Sequence, residues 1–259
     1  MISKNRIKLI RSLERKKERI EHQLFVAEGP RLVDELLASC RPVYVAATRR
    51  WLDEHRGLRL HEMAGVSGID EVTDAELERA SLLRSPQQVV ALFALPHSSG
   101  SLGEVAAREL CLVLDGVQDP GNVGTIVRLA DWFGIAHVFC SHETCDIFSP
   151  KAVQATMGAV ARVQVHYVDI VEALQRCDAP IYVTHLHGTD LYKETLTTHG
   201  VIVMGNEGKG VSDAVSELAN RRLLIPPFPA DRQKVESLNV AIATAVVCSE
   251  FRRQAVCRG

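Results

Sequence analysis

From residue 111 to residue 225, short apolar runs alternate with helix-forming stretches, and that repetition leaves few folds open. Strands are expected at Cys111–Leu114, His137–Cys140, Val163–Tyr167, Ile181–Thr184, Val201–Met204 and Arg222–Ile225. Most of these runs are continuously apolar, the pattern of strands buried on both faces. Helices fit between them at Val123–Phe133, at Pro150–Ala161 behind a Ser149 cap, and at Ile170–Cys177 behind Asp169. A last long helix is expected from about Leu238 to Gln254. The units imply a parallel sheet covered by helices on both sides. Such sheets bind ligands beyond the C-terminal ends of their strands, where the glycine-rich and polar segments of this chain fall.

A second, smaller α/β unit precedes the sheet. Leu24–Ala27, Val43–Ala47 and Val89–Leu95 read as strands, Gly29-Pro30 opens a helix, and Thr73 caps another over Asp74–Ala80. The run Pro96-His97-Ser98-Ser99-Gly100-Ser101-Leu102-Gly103 has linker composition. The expected organisation is an N-terminal domain over 1–96, a linker over 97–106 and a second domain over 107–259. A basic helical arm, Lys4–His22, starts the chain. Residues 1–22 hold eight Lys/Arg against three Glu, although the 259-residue chain has a net charge of -2. Such an arm binds phosphate locally, while the whole molecule has no polyanion-seeking charge.

Seven scattered cysteines form no CxxC pair, which excludes a zinc ribbon and a thioredoxin motif. They read as reduced thiols of a cytoplasmic protein. Val89–Leu95 and Val240–Cys248 fall far short of the roughly 20 residues that span a bilayer, and the charged N-terminus lacks a signal-peptide core. His185 and His187 lack a third ligand at a suitable spacing, so no metal is expected.

Three loops at strand ends hold the candidate chemistry. The first is Asp115-Gly116-Val117-Gln118-Asp119-Pro120-Gly121-Asn122-Val123-Gly124, with Arg128 about one and a half turns into the next helix. Gly121 and Gly124 permit a tight strand-to-helix turn, and Asn122 suits an N-cap. An ordinary turn followed by a surface arginine has the same spacing. The second is Met204-Gly205-Asn206-Glu207-Gly208-Lys209-Gly210. Its glycines match neither the dinucleotide fingerprint nor the phosphate-binding P-loop, yet they suit close approach of backbone to a ligand or a flexible turn. The third runs from Ile225-Pro226-Pro227 to Lys234-Val235-Glu236-Ser237-Leu238-Asn239, where Ser237 or Asn239 also suits a helix cap.

In this order, each at a strand end, the loops resemble the SpoU (TrmH-like) branch of the SPOUT superfamily of S-adenosylmethionine-dependent RNA methyltransferases. Asp119-Pro120-Gly121-Asn122-Val123-Gly124 with Arg128 is similar to the family's first motif, Gly205-Asn206-Glu207-Gly208 to its second, and Glu236-Ser237-Leu238-Asn239-Val240 to its third. Ser149-Pro150-Lys151-Ala152 and Met157-Gly158-Ala159 match another recurrent stretch. Leu24-Phe25-Val26-Ala27-Glu28-Gly29-Pro30-Arg31 resembles the start of the substrate-binding domain that often precedes the catalytic one.

The resemblance implies an α/β fold in which a C-terminal parallel sheet carries a deep trefoil knot, preceded by a small L7Ae/L30e-like α/β domain. It implies methylation of a ribose 2′-hydroxyl in ribosomal or transfer RNA by a homodimer that completes its active site across the interface. The implied partner is RNA, not DNA or a membrane. The implied cofactor is S-adenosylmethionine, without a metal, held at Gly205, Ile225 and Leu238 with Met204 and Pro226 beside them. By the same resemblance Asn122, Arg128, Glu207, Ser237 and Asn239 form the catalytic set. Arg128 is the family's assigned base, but guanidinium resists deprotonation, so hydrogen bonding to the developing alkoxide or a phosphate is an equally physical role. Two departures stand out: Pro226–Ser237 is longer than the family norm, and Gln88 stands where many relatives have glycine. A base-directed SPOUT methyltransferase and a non-catalytic RNA-binding or assembly factor remain alternatives.

Overall fold

A computed structural model describes residues 1–62, 66–229 and 237–258. Residues 230–236 of the long third loop, Glu236 included, lie outside the described residues. In chain order the elements begin α1 (Lys4–Ser12), α2 (Lys16–His22), β1 (Leu24–Glu28), α3 (Pro30–Leu37), β2 (Pro42–Ala47), α4 (Arg49–Glu54), β3 (Ile69–Glu71), α5 (Asp74–Ala80) and β4 (Val89–Ala94). They continue α6 (Leu102–Ala106), β5 (Leu110–Asp115), α7 (Pro120–Trp132), β6 (His137–Cys140), α8 (Pro150–Thr156), β7 (Gln164–Tyr167) and α9 (Ile170–Gln175). Last come β8 (Ile181–Asp190), β9 (Gly200–Gly205), α10 (Asp213–Ser216), β10 (Arg221–Leu224) and α11 (Val240–Arg258).

Two compact units result, Met1–His97 with Asp146–Arg162, and Ser98–Cys145 with Val163–Gly259. Two boundaries depart from expectation. Residues 102–106 of the expected linker form α6, because Ser101 and Glu104 make a reciprocal capping box. Residues 146–162 leave the second unit between β6 and β7 and fold in the first. There the Phe148 ring packs 5.2 Å from Phe25, and α8 lies against β1. The Ser149-Pro150 helix start is visible in sequence, but which sheet the helix covers is a long-range matter.

The first unit is a four-stranded sheet in the order β1-β4-β2-β3, with β1 and β2 antiparallel to β4 and β3 parallel to β2. Ile10 and Leu13 of the basic arm are fully buried in its core beside Tyr44 and Leu92. The arm is two helices rather than one. Arg19, buried, donates to the carbonyls of Leu13 and Glu14 at 2.7 Å each, closing the C-terminal end of α1 and breaking the run. Its Nη2 also meets Asp146 Oδ2 at 2.6 Å. Arg6 lies over the Tyr44 ring at 4.6 Å, and Arg11 donates to the carbonyls of Arg79 and Ser81. Three of the arm's cations therefore serve the fold.

The second unit is a six-stranded, all-parallel sheet in the order β10-β8-β9-β5-β6-β7. Its core holds Cys111, Val113, Val183, Val201 and Val203. The expected strands all form, with ends shifted by a residue or so except at β8, which runs on to Asp190. Arg252 of α11 donates to the carbonyls of Phe133 and Gly134 at 2.7 and 2.9 Å, placing a cation at the C-terminal end of α7. No disulfide joins the described cysteines, and burial pushes the Cys248 thiol up to about 12. No helix among the described residues is long and apolar enough to cross a membrane.

Two measurements test this account. Arg19→Ala removes a buried guanidinium with its bonds to Asp146 and two carbonyls, and denaturant titration should show a loss of about 3–5 kcal/mol. His166 is buried with His137 Nδ1 at 3.0 Å, and desolvation, then the neighbouring imidazole, lowers its pKa to about 4. The folded state thus binds fewer protons than the unfolded one between pH 4 and 6.5, so stability is full above that window and falls as pH drops through it. His166→Phe should flatten that slope.

Candidate active site

The first loop joins β5 to α7. Asn122 does not cap the helix: Asp119 does, its Oδ1 accepting from the Asn122 N–H at 2.9 Å. Pro120, with a preset φ and no N–H to satisfy, starts the helix directly after that carboxylate, so α7 begins three residues earlier than expected. Asn122 is left at the third helical position with its side-chain amide free for other work.

That amide joins the other two loops. Asn122 Nδ2 donates to Glu207 Oε1 at 3.0 Å, and its Oδ1 accepts from Asn239 Nδ2 at 3.0 Å. Asn239 Oδ1 then accepts the N–H of Ala241 at 3.0 Å and of Ile242 at 3.3 Å, so Asn239 both caps α11 and takes part in the chain. Each amide orientation follows from the next, because only Nδ2 can donate to a carboxylate and only Oδ1 can accept from a backbone N–H. Glu207 is exposed, and its Oε2 accepts from the Gln118 N–H at 3.4 Å.

The second loop is shaped by Asn206, a residue the sequence placed only within a motif. Its Nδ2 donates to Gly116 O at 2.7 Å, its Oδ1 accepts from Gly208 and Lys209, and its backbone pairs both ways with Gly210 at 2.9 Å. The Asn-x-Gly spacing of such a side-chain turn was the signal available. Asp115 Oδ2 accepts from the Ser212 N–H at 2.7 Å and ties the same loop to β5. A Cβ on Gly205 would fall well inside contact distance of the Gly210 and Val211 backbone, so only glycine lets this loop fold back on β9.

Of the expected cofactor residues, Met204 and Gly205 lie at the gap where the sheet loses a ladder partner. β9 pairs with β5 up to Asp115↔Gly205, but its pairing with β8 stops at Val183↔Val203. Beyond that point β8 departs: Val183 pairs with Arg222, whereas Leu223 pairs with Thr189. Residues 184–188 therefore bow out of the ladder, and Gly188 returns so close to the Arg222–Leu223 backbone that a Cβ would collide with it. The main chain of Met204 and Gly205 is left without a ladder partner on that side. Ile225 and Pro226, both half-buried, follow β10, and the exposed Leu238 precedes α11. Met204 and Gly205 are both buried. His185 and Leu186, in the bowed segment beside this gap, went unnoticed as neighbours of the site because the sequence reads as a strand ending at Thr184.

Arg128 and Ser237 stand apart. Six residues on from Asn122, the helix has turned about 240° and risen about 9 Å, so Arg128 leaves α7 on a different side. It is exposed, without a hydrogen bond or ion pair among the described residues, and one turn from Trp132, which is 82% exposed. Ser237 is exposed and joins no described hydrogen bond. Among the described residues no group of three His, Cys, Asp or Glu could hold a metal.

Residues 109–249 match the model of the SpoU rRNA Methylase family, and residues 4–91 that of the MRM3-like substrate binding domain. The chain belongs to the SpoU rRNA methylase family. A 23S rRNA (guanosine(2553)-2′-O)-methyltransferase of Bacillus subtilis is 30% identical over 95% of this chain and 96% of its own. A putative RNA methyltransferase of the TrmH family from Porphyromonas gingivalis superposes with a TM-score of 0.86 at 41% identity, over 98% of this chain and 99% of that one. An rRNA methyltransferase from Sinorhizobium meliloti, solved with AdoMet bound, gives 0.83 at 30% identity, over 98% and 96%. This SpoU chain is an RNA methyltransferase, and its three loops lie within the residues matched to the family.

Asn122→Asp tests the chain of amides. It sets a carboxylate against Glu207 where a donor stood, in an exposed place that the core does not depend on. Methyl transfer should fall about 100-fold or more while the melting temperature stays within a few degrees.

Proposed function

We propose that this protein methylates a ribose 2′-hydroxyl of ribosomal RNA with S-adenosylmethionine as donor. The observation that carries the reading is the Asn239–Asn122–Glu207 chain, standing at the same strand ends as Met204–Gly205, whose main chain has no ladder partner toward β8. The names of the Bacillus and Sinorhizobium relatives favour ribosomal over transfer RNA.

The gap suits the cofactor. An unpaired strand edge supplies main-chain donors and acceptors, Pro226 offers a carbonyl without a competing N–H, and Ile225 and Leu238 give apolar cover. When bound, the cofactor supplies an electrophilic methyl carbon on sulfonium. The chain's residues then do the rest. Asn122 and Asn239 fix the carboxylate of Glu207, which accepts a hydrogen bond from the ribose hydroxyl. As the oxygen–carbon bond forms and the carbon–sulfur bond breaks, the hydroxyl proton passes to that carboxylate. Holding the hydroxyl in line is the larger contribution.

Arg128 supplies positive charge at the alkoxide or an adjacent phosphate. It faces away from its own Asn122, on the side of α7 that exposes Trp132. Ile242 and Val256 of α11 are exposed apolar side chains as well. A second copy covering these faces would bring each Arg128 to the other's site and make the enzyme a homodimer. The first unit, with exposed Lys4, Lys8 and Lys17, holds the RNA. The loop 206–212 doubling back against β9, with β8 between β9 and β10, supports a trefoil knot. Seven cysteines outside any disulfide suit the reducing cytoplasm.

The test is methyl transfer from labelled S-adenosylmethionine to total RNA of a strain lacking the gene, with the product nucleotide identified by mass. A 2′-O-methylated nucleotide of ribosomal RNA is expected. A methylated base would move the protein to base chemistry, and cofactor binding without transfer would make it a binding factor. Arg128→Ala alone should lose about 100-fold or more. Mixing Arg128→Ala with Asn122→Ala chains should restore about a quarter of wild-type activity, because half the dimers then hold one complete site. An arginine acting within its own chain would restore none.

A further inference from the structure

The first unit carries an open pocket of about 260 Å³ where β1 runs into α3, lined also by residues 83–87 and by α8. Its volume is that of roughly nine waters, enough for one nucleobase and too little for a stacked pair. Pro30, Leu32, Leu83 and Met157 give it apolar walls. The polar groups are few and fixed. Gln154 Nε2 donates to Glu28 O at 3.0 Å, which sets the amide and leaves its Oε1 as an acceptor without a described partner. Ser85 and Gln87, both exposed, stand at the opposite lip.

The one acid in the lining is committed. Glu28 is buried, accepting from the Ser81 hydroxyl with one oxygen and from the Leu82 N–H at 2.9 Å with the other. Ser81 Oγ in turn accepts from the Leu83 N–H at 3.0 Å. Together these bonds fasten the lip to the end of β1. Burial pushes the Glu28 carboxyl up from its ordinary value, which reduces the negative charge beside the cavity.

The rim is cationic. Arg31 lines the cavity and Arg84 lies between two lining residues. Both are exposed, and neither has an ion pair or hydrogen bond among the described residues. Glu35, the helical neighbour in reach of Arg31, pairs with Arg162 at 3.6 Å instead.

We infer that this cavity holds a single unstacked nucleotide of the RNA substrate, its base against Pro30 and Met157 and its phosphates on Arg31 and Arg84. Apolar plates, one free amide carbonyl and a bare guanidinium rim are the chemistry that recognises a splayed-out nucleotide rather than a duplex. The site is separate from the Asn122 network. It rests on the reading that the first unit holds RNA, and it names where.

The experiment follows Met157, one of four methionines in the chain, through a methyl-labelled NMR spectrum of the full-length protein. S-adenosylhomocysteine is kept saturating, so that the cofactor gap beside Met204 is filled. Single-stranded RNA decamers of mixed sequence are then titrated in. The Met157 resonance should shift saturably while that of Met204 stays put. Ser85→Trp, which fills the cavity from an exposed position, should weaken RNA binding about tenfold and abolish the shift. Arg31→Ala with Arg84→Ala should weaken binding and lower the salt slope by about 1.4. An unmoved Met157, or a folded Ser85→Trp protein that binds RNA as well as wild type, overturns the inference. Absent methyl transfer with an intact Met157 response would sink the proposed reaction and leave the pocket standing.

Discussion

Three loops, the first and last joined by residues 117 positions apart, are held together by two side-chain amides in series. Asn122 sits between Glu207 and Asn239, and neither contact survives reversal of its amide. The orientation is imposed from the far end, where two N–H groups at the start of α11 demand an oxygen from Asn239. A helix terminus thus dictates which face the Glu207 carboxylate receives a donor on. Everything upstream serves to bring these ends together: β5 and β9 in register up to Asp115↔Gly205, and Asn206 folding the second loop back toward Gly116.

Much of this was legible in the sequence. Continuous apolar strands alternating with helices gave the parallel sheet and the side of it on which to look, and the three motifs fell on the loops that meet. Capping was readable where two residues make the whole interaction, as at Thr73 with Glu76. It misled where two capping residues compete over a short span: Asp119 took the cap and released Asn122. Spacing alone also misplaced Arg128, because reach along a helix says nothing about which side the residue leaves by. The bowed segment 184–188 was hidden for a similar reason, since a strand that loses one partner and keeps another looks unbroken in sequence.

Charge counting needed the structure most. Eight cations in twenty-two residues describe an arm, yet Arg6, Arg11 and Arg19 are spent on a ring, two carbonyls and a half-buried carboxylate. The apolar residues among them, Ile10 and Leu13, are core. Charge density along the chain measures how many cations exist, whereas affinity for phosphate depends on how many are left without a partner. In the first unit Arg31 and Arg84, unremarkable in composition, meet that condition.

The excursion of residues 146–162 has a consequence for synthesis. Arg19 leaves the ribosome 127 positions ahead of the aspartate that neutralises it, and α8 likewise follows β1 by more than a hundred residues. The first unit is therefore first to be made but not first to be finished. Until β6 of the second sheet has emerged, it must wait with a buried guanidinium short of its anion and one wall missing. No single cut divides the protein into its two halves, and exchanging either with a relative requires three junctions.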